Sequence, residues 1–121
     1  MIPVTQDHEM KKGSVQTLIL AVLADGPRHG YAIAREIERR SRDALSFGEG
    51  ALYPALRALE REQMVVSRWE AQPSGPARRV YTLTDAGQAK LAAQVATWRR
   101  FSGAVDRILG GAGGTPDVQP I

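Results

Sequence analysis

Apolar side chains recur at helical spacing early in the chain, at Val15, Leu18, Ile19, Val22 and Leu23, and Ser14 is placed to cap the helix they define. Asp25-Gly26-Pro27 stops that helix, since Gly supplies the cap conformation and Pro cannot continue the turn. A second amphipathic stretch runs from about Gly30 to Ser41. Tyr31, Ile33, Ala34 and Ile37 face inward, while Arg35, Glu36, Glu38 and Arg39 read as a solvated face of i,i+4 pairs. Ala44 to Phe47 alternates as a short strand would. Gly48-Glu49-Gly50 then turns the chain into a third helix with Leu52, Ala55, Leu56 and Leu59 as its buried stripe. Tyr53, Arg57 and Arg61 line up at i, i+4, i+8 on another face. Pro54 is harmless only in a first turn, so this helix is expected to start close to Gly50 or Ala51.

Beyond it the period changes. Met64 to Glu70 is rich in β-branched and aromatic residues, Gln72 to Pro76 is a turn cluster, and Arg78 to Leu83 forms a second strand. The two make a β-hairpin with Trp69 and Tyr81 as its core residues. Thr84 caps a last helix reaching about Leu109. In that helix Leu91, Val95, Trp98, Val105 and Leu109 recur at the interval of a coiled-coil seam. A helix of about 25 residues is roughly 38 Å long, more than so small a domain can cover. Its far half, with Phe101, Val105, Ile108 and Leu109, is expected to bury itself against a second copy. Residues 1–12 lack periodicity and read as a mobile arm; residues 110–121 are Gly/Pro-rich and read as a disordered tail.

At 121 residues and 13.2 kDa the chain is one domain's worth. It has no Cys and only two His, His8 and His29, so a disulfide framework, a thiolate nucleophile and a Cys-ligated metal are excluded. No paired carboxylates, metal spacing or activated nucleophile converge, so no catalytic residue, metal or cofactor is expected. The longest apolar run, Leu18 to Ala24, is short of the ~20 residues needed to span a bilayer, and the N-terminus lacks a secretory apolar segment. A cytoplasmic protein with no membrane partner is expected. Net charge is +3 and the pI about 9.7. Most of the cations are Arg, the side chain suited to bidentate phosphate and guanine contacts.

Three helices, a hairpin and a further helix is the order of a winged helix-turn-helix: a mostly α fold with a small β-hairpin (α+β), over residues 13–84, followed by one long dimerisation helix over 85–109. The logic suits double-stranded DNA. The second helix braces the third, the third presents a polar face to the major groove, and the hairpin carries cations to an adjacent phosphate or the minor groove. On this reading Tyr53, beside Pro54 at the helix start, meets DNA with Arg57 and Arg61 on the same face. Arg78 and Arg79 alternate in direction along their strand, so only one of them points at DNA. Tyr31 packs or reaches a phosphate, and His29 caps its helix. Small winged domains also serve as protein–protein modules that bind no DNA, which is the alternative.

Three segments carry a resemblance: His29-Gly30-Tyr31-Ala32-Ile33, Gly48-Glu49-Gly50-Ala51-Leu52-Tyr53-Pro54-Ala55-Leu56, and Arg79-Val80-Tyr81-Thr82-Leu83-Thr84-Asp85-Ala86-Gly87. With them the chain resembles the PadR family of bacterial transcriptional regulators over about residues 11 to 109, in the short form with one C-terminal helix. The resemblance implies a homodimeric repressor that binds a palindromic operator. It also implies that the space between subunits accepts planar aromatic effectors, with Trp98 as a stacking plate or, more simply, as interface packing. One position departs from the family pattern. Gln63 stands where the family has Gly, and Gln in a left-handed cap costs about 1 kcal/mol, which leaves the geometry of this corner open.

Overall fold

The apolar stripes of three helices close on one another in a computed structural model that describes residues 4–110, with side chains from Ser14 onward. Helix α1 spans Val4–Leu23, α2 Gly30–Arg40 and α3 Glu49–Arg61. Ile19 and Leu20 of α1, Ile33 of α2, and Leu56 and Leu59 of α3 are fully covered. Each such side chain contributes roughly 1.5–3 kcal/mol by leaving water, so these residues fix how the helices cross. Around them lies a three-stranded antiparallel sheet in the order β1-β3-β2, with β1 at Arg28–His29, β2 at Val65–Glu70 and β3 at Arg78–Leu83. Helix α4, Asp85–Ile108, completes the chain.

Four expectations are corrected. Helix α1 begins at Val4, so residues 4–12, expected to lack regular structure, are helical. Gln6, Glu9, Met10, Lys11 and Lys12 are strong helix formers, and propensity carries the helix back where no apolar period marks it. Residues 1–3 of that arm and residues 111–121 of the expected tail lie outside the described residues. Ala44 to Phe47 is not a strand. The Ser41 hydroxyl oxygen accepts from the Leu45 N–H at 3.0 Å, a local bond that takes a backbone group a ladder would use. The third strand is instead β1, whose two residues pair Arg28 with Tyr81 and His29 with Val80. Helix α3 starts at Glu49, so Pro54 falls in its second turn. It therefore withholds the N–H that the Gly50 carbonyl would accept, on an exposed stretch of the helix where water can replace it. Tyr81 is buried in the hairpin as expected, but Trp69 is 67% exposed on its surface.

The corner between α3 and β2 keeps the left-handed geometry without the glycine. Gln63 has φ 64°. Its N–H reaches the Glu60 carbonyl at 3.0 Å and the Met64 N–H reaches the Leu59 carbonyl at 2.9 Å, the paired bonds of a Schellman cap. Helix α4 docks on the same corner. Thr84 donates its N–H to the Met64 carbonyl at 3.1 Å, and its hydroxyl oxygen accepts from the Gly87 N–H at 2.9 Å as an N-cap. A Cβ on Gly87 would lie 2.1 Å from the Met64 carbonyl oxygen, so only glycine lets the helix approach this closely.

The first turns of α4, to Leu91, belong to the helix-and-sheet unit; from Ala92 the chain forms a second unit. On that second unit Trp98 (62%), Phe101 (58%), Ile108 (83%) and Leu109 (60%) are exposed, while Val95 and Val105 are half-buried.

Because Gln63 adopts a conformation that glycine adopts without a Cβ penalty, Gln63→Gly is expected to stabilise the protein, by about 0.5–1 kcal/mol. Urea unfolding followed by circular dichroism checks this; a lowered midpoint would mean that the Gln63 side chain contributes more than its backbone costs.

Candidate nucleic-acid interface

Helices α2 and α3 present matching polar stripes. Tyr31, Arg35 and Arg39 recur at i, i+4, i+8 on α2, as Tyr53, Arg57 and Arg61 do on α3. The fold brings both stripes, β1 and the two strands of the hairpin to one concave surface of about 1300 Å³. Seven arginines line it: Arg28, Arg35 and Arg39, then Arg57, Arg61, Arg78 and Arg79; Glu36 and Glu60 are the acidic residues of the lining, and Glu38 pairs with Arg35 at 3.7 Å from outside it. Clustered cations over a concave face raise the local potential and draw polyanions.

What holds α2 against α3 here is a ring on a glycine. The Tyr53 ring lies over Gly30, where an added Cβ would meet the Tyr53 hydroxyl oxygen at 2.8 Å. Tyr53 is therefore half-buried packing as well as part of the lining. Beside it His29 caps α2, its Nδ1 accepting from the Ala32 N–H at 3.4 Å.

The arginines differ in how far they are already engaged. Arg35 donates to the Tyr31 hydroxyl at 2.8 Å and lies 5.7 Å from the centre of its ring, so Tyr31, 62% exposed and not inward as expected, holds a cation at the rim. Arg39 and Arg40 both donate to Glu36, at 3.0 and 2.7 Å for their Nε atoms, and Arg40 also bonds Asp25. Arg79 donates to Glu60 at 3.1 Å and to the Ser67 hydroxyl at 2.8 Å. Arg57 and Arg61 are exposed and have no ion-pair partner among the described residues. Among the described residues Arg78 has only the His29 ring, with Nη1 3.1 Å from Nε2. The Tyr81 phenol is pushed up from its usual range, chiefly by burial, and stays a neutral hydroxyl.

Of the residues singled out in the sequence, Tyr31, Tyr53, Arg57, Arg61, Arg78 and Arg79 all line this surface, while Pro54 is exposed outside the lining. Arg28, Arg35, Arg39 and Trp69 were not anticipated there. The Tyr-Arg-Arg spacing of α2 repeats that of α3 and was the available signal for two of them. For Arg28 and Trp69 no sequence pattern pointed the way, since strand pairing and hairpin exposure place them. Among the described residues no group of three or more His, Cys, Asp or Glu is placed to hold a metal ion, and no helix is long and apolar enough to cross a membrane.

Known proteins share the sequence pattern and the fold. Residues 19–93 match the model of the transcriptional regulator PadR-like family. A transcriptional regulator of Mycobacterium tuberculosis is 37% identical over 84 residues, covering 69% of this chain and 75% of the relative. Among solved structures, a PadR-like transcription factor from Bacteroides fragilis superposes with a TM-score of 0.73 at 28% identity, over 86% of this chain and 98% of that one. A PadR family transcription regulator from Clostridium difficile gives 0.69 at 29% identity, over 78% and 97%.

The arginines around Glu36 make a pH prediction. Hydrogen bonds from Arg39, then Arg40, lower its carboxyl from 4.5 to about 2. A carboxyl whose folded value is depressed binds fewer protons folded than unfolded, so its stabilisation is full above about 4.5 and is lost as pH falls towards 2. The stability difference between the native protein and Glu36→Gln should therefore shrink steadily across that window in urea titrations. A constant difference would show that Glu36 stabilises by packing alone.

Proposed function

Because the chain belongs to the PadR-like family of transcriptional regulators, which are not enzymes, we propose that it is a cytoplasmic homodimeric repressor that binds a palindromic DNA operator and leaves it when a planar aromatic effector binds. The observation that carries the DNA reading is the arginine-lined concavity shared by α2, α3 and the hairpin wing. Helix α3 is the recognition helix. Arg57, exposed and without an acidic partner among the described residues, reads base edges from the middle of α3, and Arg61 follows one turn later. Tyr31 and Tyr53 contribute hydroxyls at the rim, Pro54 follows Tyr53, exposed in the second turn of the recognition helix, and one of Arg78 and Arg79 brings wing charge to the backbone.

The dimer reading rests on Trp98, Phe101, Ile108 and Leu109, which are exposed. With the half-buried Leu91, which also packs on the core, Val95 and Val105, they form the seam with a second copy. Two recognition helices related by a two-fold axis then meet half-sites about one helical turn, roughly 34 Å, apart. The effector reading rests on Trp98. Its ring and that of Phe101 lie 6.1 Å apart at 39°, and Arg99 and Arg100 follow Trp98 in sequence as partners for an acid or a phenolate.

Three outcomes test this. In gel shifts on DNA upstream of its own gene, the protein should retard a discrete fragment, and Arg57→Ala should cost about 1–3 kcal/mol on that fragment with little change on unrelated DNA. Equal losses on both would make Arg57 a phosphate contact. Light scattering should give a dimer at micromolar concentration that Val95→Asp dissociates by placing an unpaired charge in the seam. Planar aromatic acids should quench native fluorescence and release DNA, with both effects lost in Trp98→Phe. A monomeric native protein overturns the seam, and quenching that survives Trp98→Phe moves the effector elsewhere.

A further inference from the structure

Both wing arginines line the concave surface, but their surroundings are opposite. Arg79 lies across the sheet from Trp69, its guanidinium carbon 5.8 Å from the centre of the indole ring. Its Nε donates to the Ser67 hydroxyl at 2.8 Å, and its Nη2 reaches both Glu60 oxygens, at 3.2 and 3.1 Å. Ser67 donates in turn to Glu60 at 2.6 Å, which closes the ring of contacts. One bidentate edge of the guanidinium is thus taken, one face is covered by an aromatic ring, and its charge is compensated. Glu60 sits on the last turns of α3, so this knot joins the recognition helix to the wing.

Arg78 is poised otherwise. Its neighbour is the His29 ring, whose Nδ1 accepts from the Ala32 N–H. A neutral imidazole accepting at Nδ1 carries its proton on Nε2, which then faces a guanidinium that has only donors. Arg78 gains little there and stays available to an anion.

We propose that Glu60 is a positioning residue that, with Ser67 and Trp69, holds Arg79 as a tether between recognition helix and wing, and that Arg78 is the wing cation that meets a DNA phosphate. This rests on the DNA-binding reading above. It divides two adjacent cations into a structural one and a contacting one. The tether sets the distance between the base-reading helix and the backbone-reading wing, so it acts on affinity without adding a contact.

The test measures binding of the full chain to a mixed-sequence duplex by fluorescence anisotropy across a salt series, where each neutralised phosphate contributes about 0.9 to the slope of log K against log salt. Arg78→Ala should reduce the slope by about 0.9, the weight of one phosphate contact. Arg79→Ala should weaken binding while keeping the native slope. Glu60→Gln should steepen the slope by about 0.9, because it releases Arg79 to a phosphate, and Glu60→Gln with Arg79→Ala should restore the native slope. Equal slope losses in Arg78→Ala and Arg79→Ala, or an unchanged slope in Glu60→Gln, overturn the division of roles. A second readout needs no DNA. In a Trp98→Phe background the remaining indole emission reports the Arg79 stack, and Glu60→Gln should shift it; an unshifted spectrum overturns the tether. Failure of the native protein to bind any duplex, with that shift present, overturns the DNA reading and leaves the tether standing.

Discussion

The carbonyl of Met64 is the point on which the winged unit turns. It accepts from the Thr84 N–H and hydroxyl, and Gly87 packs directly over it. One residue earlier, Gln63 ends α3 in the left-handed conformation that aims the chain into β2. Helix α3, the first wing strand, the last wing strand and the first turn of α4 therefore meet at a single peptide group. Shifting that group would change the wing's angle to the recognition helix and the exit direction of α4 together. The strain of a non-glycine corner persists because the N–H groups of Gln63, Met64, Thr84 and Gly87 each find an acceptor there.

Charge on the concave face is arranged with equal economy. Two stripes of Tyr-Arg-Arg, one per helix, would repel each other and the wing if left bare. Glu36 and Glu60 each neutralise neighbouring arginines, at the edge and at the wing respectively, while Arg57 and Arg61 have no acidic partner among the described residues. Pairs with one partner open to water, as the arginines here are, add modestly to stability. Their effect is to decide which guanidinium groups remain free for an anion, and over a concave face that decision shapes the potential an approaching polyanion meets.

Stability and assembly draw on different parts of the chain. The covered side chains of α1, α2, α3 and β2 form a core that needs nothing beyond the helix-and-sheet unit. The 24 residues of α4 extend about 36 Å, and its later apolar residues stay open to water. Gly103 adds a weak point in mid-helix, with only the end of Arg107 near the place of a Cβ.

The sequence by itself determined the elements whose information is local. Helical periodicity marked α1 to α4, turn chemistry marked the hairpin, Thr84 marked its cap, and the His-Gly-Tyr and Leu-Tyr-Pro-Ala-Leu segments marked the family. Its alignment of Tyr53, Arg57 and Arg61 identified two of the seven arginines of the surface, because an i, i+4, i+8 stripe is a property of one helix alone. Only the tertiary structure decided the rest. Two residues form a strand at β1 because β3 lies beside them, which no alternation within Arg28–His29 can announce. Arg35 and Arg39 look like a solvated face until α2 is packed on α3, and Trp69 looks like core until the hairpin is seen to leave that ring uncovered. Glu60 and Arg79 are 19 residues apart, and their pairing exists only once the wing folds back along α3. Local pattern is written in dihedral preference and hydrophobic period, whereas the choice between a bound and a free arginine depends on which distant side chain arrives within 3 or 4 Å, and that is fixed by packing.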